Sequence, residues 1–110
     1  MITIDEFRKL NIRIARIKEV IDHPGADRLY IVRLMIGEEE REVVAGIKKA
    51  YTKEELVGKL VAVVENLEPA IIRGVESKGM ILATQDGEPR AVLAQARPVA
   101  PGESGRAAGG

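Results

Sequence analysis

Residues with reactive side chains are few in this chain, and their spacing limits what they could do. His23 is the only histidine and there is no cysteine. No recognisable ligand set for a transition metal exists, and a histidine beside Pro24 in a turn reads as a turn or packing residue. No Ser, Lys or Asp stands in a nucleophile motif. Gly74, Gly79 and Gly87 form no phosphate cradle ahead of a helix, and Gly46-Ile47-Lys48-Lys49 lacks the preceding Gly-x-x-x-x of a P-loop. Glu38-Glu39-Glu40 and Glu54-Glu55 fall in a turn and on a first helical turn, where solvation and the helix dipole account for them. The expectation is a protein that is not an enzyme and that uses no metal and no cofactor.

What remains is contact chemistry, concentrated in the fifteen residues from Asn66 to Met80. Loops that long inside a small domain are more often functional than idle. Arg73 and Lys78 could hold phosphates, Asn66 and Ser77 could donate to phosphate or ribose, and Gly74 and Gly79 permit close approach of a backbone. The alternative, left open at this point, is a barrel-crossing loop whose polar groups satisfy its own backbone.

The elements around this segment can be read from pattern. Thr3-Ile4-Asp5-Glu6 has the form of a capping box and predicts a short helix over about Ile4 to Lys9. Ile12 and Ile14 alternate with polar neighbours, and Ile17 and Ile21 then take the opposite phase. A bulge near Ala15-Arg16 is therefore expected. His23 to Asp27 is a turn. Tyr30, Val32, Leu34 and Ile36 alternate in a strand over Leu29 to Ile36, Gly37-Glu38-Glu39 turns the chain, and Arg41 to Ala45 returns. Thr52-Lys53-Glu54-Glu55 is a second capping box, with Gly58 as its C′ residue. Leu60 to Val64 reads as a strand buried on both faces, Glu65 to Gly79 as a loop, and Met80 to Thr84 as the next strand. After a turn at Asp86 to Pro89, weak edge strands are expected at Arg90 to Leu93 and Arg97 to Val99. This order, three meandering strands, a short helix and two more strands, is that of the five-stranded OB-fold Greek-key barrel. The fold class is all-β.

Composition bounds the rest. The 110 residues are 45% hydrophobic and 31% charged, which fits one domain over residues 1–100 with a flexible tail over 101–110. No run approaches the roughly eighteen consecutive apolar residues of a membrane span. The first six residues also lack a basic region followed by an apolar stretch, so a cytoplasmic protein with no membrane partner is expected. Seventeen basic and seventeen acidic side chains cancel, which disfavours a protein that coats nucleic acid by bulk charge. Phe7, Tyr30 and Tyr51 are the only aromatics, too few to stack a row of bases. Any nucleic-acid site must be local.

Four segments together resemble the tRNA-binding domain family: Asp22-His23-Pro24-Gly25-Ala26-Asp27-Arg28-Leu29, Val44-Ala45-Gly46-Ile47, Tyr51 to Leu56, and Arg73-Gly74-Val75-Glu76-Ser77-Lys78-Gly79-Met80. That family includes the C-terminal domain or separate β-subunit of methionyl-tRNA synthetases, free-standing structure-specific tRNA-binding proteins and the CsaA-type secretion chaperone. The resemblance, from about Ile2 to Val99, implies an OB barrel that reads the shape of tRNA without sequence specificity. It implies a homodimer, with a seam expected at Phe7, Leu10, Pro98 and Val99, and a methionyl-tRNA synthetase catalytic subunit as a second partner. Asn66, Arg73, Ser77 and Met80 match positions of the family's binding loop, Lys78 stands where Gln is frequent, and Lys48 and Lys49 complete the candidate tRNA contacts. Glu68 and Ile71 depart from relatives, which typically carry basic residues there, and Ala15 replaces a usual Gly. The rival reading is a CsaA-like export chaperone that binds unfolded preproteins through exposed Ile71 and Ile72. A module that only docks a synthetase is a third.

Overall fold

The computed structural model describes residues 1–84, 87, 90, 91, 93, 94, 104 and 105, the last four by backbone alone. Helix α1 (Ile4–Arg8) starts at a capping box in which Thr3 Oγ accepts from Glu6 N–H and the Glu6 carboxylate accepts from Thr3 N–H. Strand β1 (Ile12–Asp22) is long and pairs antiparallel with both β2 (Tyr30–Ile36) and β4 (Leu60–Val64). Strand β3 (Glu39–Ala45) returns along β2 after a turn at Gly37 and Glu38. Helix α2 (Lys53–Leu56) repeats the capping box between Thr52 and Glu55, and the hydrogen bonds from the Thr52 backbone and hydroxyl hold the Glu55 carboxyl below its usual range. Its Leu56 is fully buried and pins the helix to the core.

The main sheet runs β3-β2-β1-β4-β7, where β7 is Met80–Ile81, with β8 (Leu93–Ala94) on β4 and β9 (Ser104–Gly105) on β1. This curled antiparallel sheet with short helices is the OB-type half-barrel expected from the element order. One face of it is apolar by alternation: Tyr30, Val32, Leu34 and Ile36 from β2 meet Ala15, Ile17, Val43, Val61, Val63 and Ile81. Each large aliphatic side chain buried this way is worth about 1.5–3 kcal/mol.

The bulge of β1 lies at Lys18, where the register with β2 shifts between Ile17 and Glu19, and not at Ala15-Arg16. Ala15 and Ile17 both stay on the core face and are essentially inaccessible, and the phase then flips so that Val20 is the next buried residue. Ile12 and Ile14 misplace the bulge because they belong to the outer face, opposite Val64 and Ala62. Ala15 is an ordinary strand residue that pairs with Val61, so no positive φ is needed.

A second difference concerns the segment expected as a loop. Within it β5 (Ala70–Ile72) and β6 (Val75–Ser77) form a hairpin closed by Arg73 and Gly74, with Ile72 opposite Val75. The predicted strand over Met80 to Thr84 is paired only at Met80 and Ile81, followed by a single bridge from Ala83 to Ala91. The Arg90 to Leu93 strand is found as Leu93–Ala94. The expected strand at Arg97 to Val99 and most of the Asp86 to Pro89 turn lie outside the described residues. Within the expected tail, Ser104 and Gly105 pair with Arg13 and Ile12.

Candidate nucleic-acid interface

The curl of the sheet brings the β5–β6 hairpin to two places that decide its position. Along β3, Lys78 N–H donates to Glu42 C=O at 2.9 Å, and Val44 N–H donates to Ser77 Oγ at 2.9 Å. Ser77 Oγ in turn donates to Gly79 C=O at 2.9 Å. Gly79 has φ +128, and a Cβ there would sit 3.0 Å from Val64 C=O, so only glycine lets β7 pass so close to β4. At its tip, the hairpin meets the turn between β1 and β2. His23 is buried, its Nδ1 accepts from Gly25 N–H at 2.9 Å, and its Nε2 lies 3.0 Å from Ile72 C=O. An Nδ1 that accepts must be unprotonated, so Nε2 carries the proton and donates to Ile72. The sole histidine is thus the joint between the first turn of the barrel and the hairpin.

Arg73 occupies the first corner of that hairpin at φ +51, followed by Gly74 at φ +88. Two residues at positive φ are what a two-residue type I′ hairpin demands, and Asn or Gly fills the first corner at least strain. An arginine held there costs on the order of 1–2 kcal/mol of backbone energy. Residues kept in sparsely populated conformations cluster at functional sites. The guanidinium is exposed and touches Gly25 C=O only at 3.4 Å, and it lines a cleft of about 270 Å³ with Ala26, Asp27, Arg28 and Leu29.

The other candidate residues divide into three groups. Asn66 and Ser77 are already engaged. Asn66 Oδ1 accepts from Asn11 N–H at 2.7 Å and its Nδ2 donates to Lys9 C=O at 2.6 Å, so it ties the chain after α1 to the end of β4. Beside it Glu65 accepts from the Asn11 side chain and pairs with Arg13 at 3.3 Å, while Arg41 donates to its carbonyl at 2.7 Å. Ser77, expected to face phosphate or ribose, is 2% exposed, closes the barrel wall and uses its hydroxyl on both sides.

The second group is exposed, save for half-buried Lys48, but sits elsewhere. Lys78 pairs loosely with Glu76 at 3.6 Å, and Met80, 41% exposed, borders an apolar cleft with Gly46 and Ile47. Lys48 lies 3.1 Å from Asp22 Oδ1, and Lys53 approaches Oδ2 at 3.0 Å. Lys53 first and Lys48 second hold the Asp22 carboxyl below its usual range, and Lys53 is raised in return. Lys49 is exposed beside them. In the third group, Phe7 and Leu10 are half-buried, and Pro98 and Val99 lie outside the described residues. Ile71, opposite Glu76 on the outward side of the hairpin, is 68% exposed.

Sequence reasoning left Asp27 and Arg28 in a turn, where the structure sets them beside Arg73, and missed His23 as a joint. All three lie in a segment that carries the resemblance, but a turn composition explained them fully until the hairpin was placed against them.

Residues 12–104 match the family model described as "Putative tRNA binding domain". A methionine–tRNA ligase of Thermococcus kodakarensis is 54% identical over 92 residues, which is 84% of this chain but 12% of that protein. Among solved structures, a MetRS related protein from Pyrococcus horikoshii superimposes with a TM-score of 0.85 at 30% identity, over 96% of this chain and 98% of that one. A CsaA chaperone protein from Picrophilus torridus gives 0.84 at 29%, over 96% and 100%. This chain belongs to the tRNA-binding domain family.

Proposed function

We propose that this domain binds tRNA by its shape and phosphates, either as an accessory part of methionyl-tRNA synthetase or as a free-standing binder. The observation that carries the reading is Arg73, an exposed guanidinium held at positive φ on a hairpin tip that His23 fixes to the neighbouring turn. In OB folds the loops between strands 1 and 2 and between strands 4 and 5 flank the nucleic-acid site, and these are the two segments joined here. With zero net charge, affinity rests on a few local cations, which places it in the range of about 10⁻⁴ to 10⁻⁶ M typical of non-specific contacts. The domain supplies binding and no catalytic step, and it works in the cytoplasm, where tRNA is charged.

A titration with bulk tRNA, an acceptor minihelix and single-stranded RNA tests the reading. Folded RNA should bind better than the single strand, with log affinity falling linearly against log salt. No binding of tRNA at ~100 mM salt, together with salt-insensitive binding of unfolded polypeptide, would replace it with the chaperone reading, which exposed Ile71 favours and half-buried Ile72 does not. We also propose a homodimer. Ile2 and Ile4 are 65% and 66% exposed beside half-buried Phe7 and Leu10, and apolar side chains along one short helix need a partner surface. Light scattering at micromolar concentration should give twice the chain mass.

A further inference from the structure

We infer that the cleft between the 23–29 turn and the β5–β6 hairpin is a nucleotide-backbone site that distinguishes RNA by its ribose, with Arg28 and Arg73 on a phosphate and the Asp27 carboxylate on the adjacent 2′-hydroxyl. The inference rests on the tRNA-binding reading and deepens it, since it assigns what is read at that site.

Three charged side chains line this one cleft of about 270 Å³. Among the described residues neither Asp27 nor Arg28 has a hydrogen bond or ion pair, and Arg73 has only its long contact to Gly25 C=O. The paired regions of the sheet differ. Carboxylates of the sheet's outer face and of the Asp22 hollow are held by cations: Glu19 and Glu42 by Arg33, Glu40 by Lys18, and Asp22 by both Lys48 and Lys53. Two guanidiniums beside one carboxylate leave the cleft with a net positive charge, which suits a phosphate. Two planar forks can also grip its oxygens in a way a single ammonium cannot.

The carboxylate is the informative part. A site that only attracted phosphate would gain nothing from Asp27, which repels it. An ionised carboxylate is acceptor-only, so its partner must bring a donor next to the phosphate. In a nucleic acid that donor is the ribose 2′-hydroxyl, the group that separates RNA from DNA. His23 holds both walls of the cleft in register through Ile72 C=O and Gly25 N–H.

The test compares an RNA minihelix with its 2′-O-methyl counterpart, which keeps the helix geometry but has no hydroxyl proton to donate. The parent protein should prefer the unmodified RNA by about tenfold, the scale of a charge-assisted hydrogen bond. Asp27→Ala should remove that preference while binding the methylated RNA as well as or better than the parent, because the repulsion is gone. Asp27→Asn, with a neutral acceptor of the same shape, should keep part of it. Arg28→Ala should weaken both ligands alike and lower the log–log salt slope by roughly 0.7–0.9. A parent that binds tRNA but has no preference, or an Asp27→Ala that keeps it, overturns the ribose assignment and leaves the tRNA reading standing. An Arg28→Ala with unchanged slope removes the phosphate assignment, and a parent that binds no tRNA overturns both readings together.

Discussion

The outer face of the β1–β2–β3 meander and the junction between the 23–29 turn and the β5–β6 hairpin are both rich in charge, yet they handle it in opposite ways. On the meander, Arg33 lies between Glu19 at 3.0 Å and Glu42 at 3.3 Å, and these carboxylates raise its pKa, Glu42 by its hydrogen bond foremost. Lys18 meets Glu40 at 3.2 Å beside them. These pairs come from cross-strand register, with Arg33 directly opposite both Glu19 and Glu42. At the junction, Arg28, Asp27 and Arg73 share a cleft without closing on one another. A chain with zero net charge can thus still present local charge, because its pairing is uneven. Exposed ion pairs contribute little to stability. Their larger consequence here is that Arg33 and Lys18 on the strand face are already met by carboxylates, whereas Arg28 and Arg73 at the junction are not.

The contrast depends on the hairpin's staying fixed against the meander, and Ser77 is what fixes it. Ser77→Ala leaves Val44 N–H without an acceptor and Gly79 C=O without a donor at a site only 2% exposed. A loss of about 1–3 kcal/mol is expected for each group left unsatisfied, readable as a lower urea midpoint at unchanged m-value. This is the largest single effect expected from a side chain of the candidate set. An unchanged midpoint would mean that the barrel wall closes without this hydroxyl.

Next in size is the direct contrast between two arginines. Arg73→Asn replaces a residue strained at φ +51 by one that tolerates that corner, so stability should rise by up to about 1 kcal/mol. Affinity for tRNA should meanwhile fall by about tenfold with the loss of a phosphate contact. Arg73→Lys should rescue binding only in part, since an ammonium cannot reproduce the planar fork. Arg33→Ala should do neither, leaving tRNA affinity within about twofold. Equal losses from Arg33→Ala and Arg73→Asn would show that RNA meets the strand face after all, and the distinction between the two regions would collapse.

Most of the fold was legible because it follows from local rules. Both capping boxes, the alternation of Tyr30, Val32, Leu34 and Ile36, and the boundaries of Leu60–Val64 are where pattern places them. The misread elements are those whose meaning depends on distant partners. Ile12 and Ile14 read as core because alternation alone cannot tell which face of β1 is inward. The β5–β6 hairpin was hidden because its corner is Arg-Gly in place of Asn-Gly, and its strands are three residues each. Asn66 and Ser77 have side chains suited to phosphate. Their partners, Lys9 and Asn11 for the first and Val44 and Gly79 for the second, are visible only in the structure.

Glu68 and Ile71 sharpen the contrast from the other direction, since both are exposed in or just before the β5–β6 hairpin without adding cations there. Replacing them together, Glu68→Lys with Ile71→Lys, should tighten tRNA binding several-fold. It should also steepen the log–log salt slope by roughly 0.7–0.9 per new phosphate contact. The outward position of Ile71, opposite Glu76, means the change need not disturb the core. If affinity and slope stay put, the hairpin's outer side does not track the RNA backbone, and its apolar surface is better explained by contact with polypeptide.

The smallest effect is expected where a paired cluster lies next to the junction in sequence. Asp22 directly precedes His23 and holds Lys48 and Lys53 on its two oxygens. Because the pair depresses the Asp22 carboxyl, its stabilising contribution is present at neutral pH and disappears as pH falls through the folded-state value, which lies below the ordinary carboxylate range. Asp22→Asn abolishes that contribution at every pH, so the stability profile of the variant should be flatter than the parent's at the acid end. At pH 7 the same substitution releases two ammonium groups beside exposed Lys49. If free charge is what separates the two regions, the variant should bind tRNA slightly better, within about twofold, since exposed cations a step away from the contact are largely screened. The gain should vanish at ~0.5 M salt, where the Debye length shrinks toward that of a direct contact. A loss of binding at pH 7 would instead mean that the Asp22 bridge positions the 23–29 turn, so that the paired cluster acts as a support of the junction as well as its neighbour.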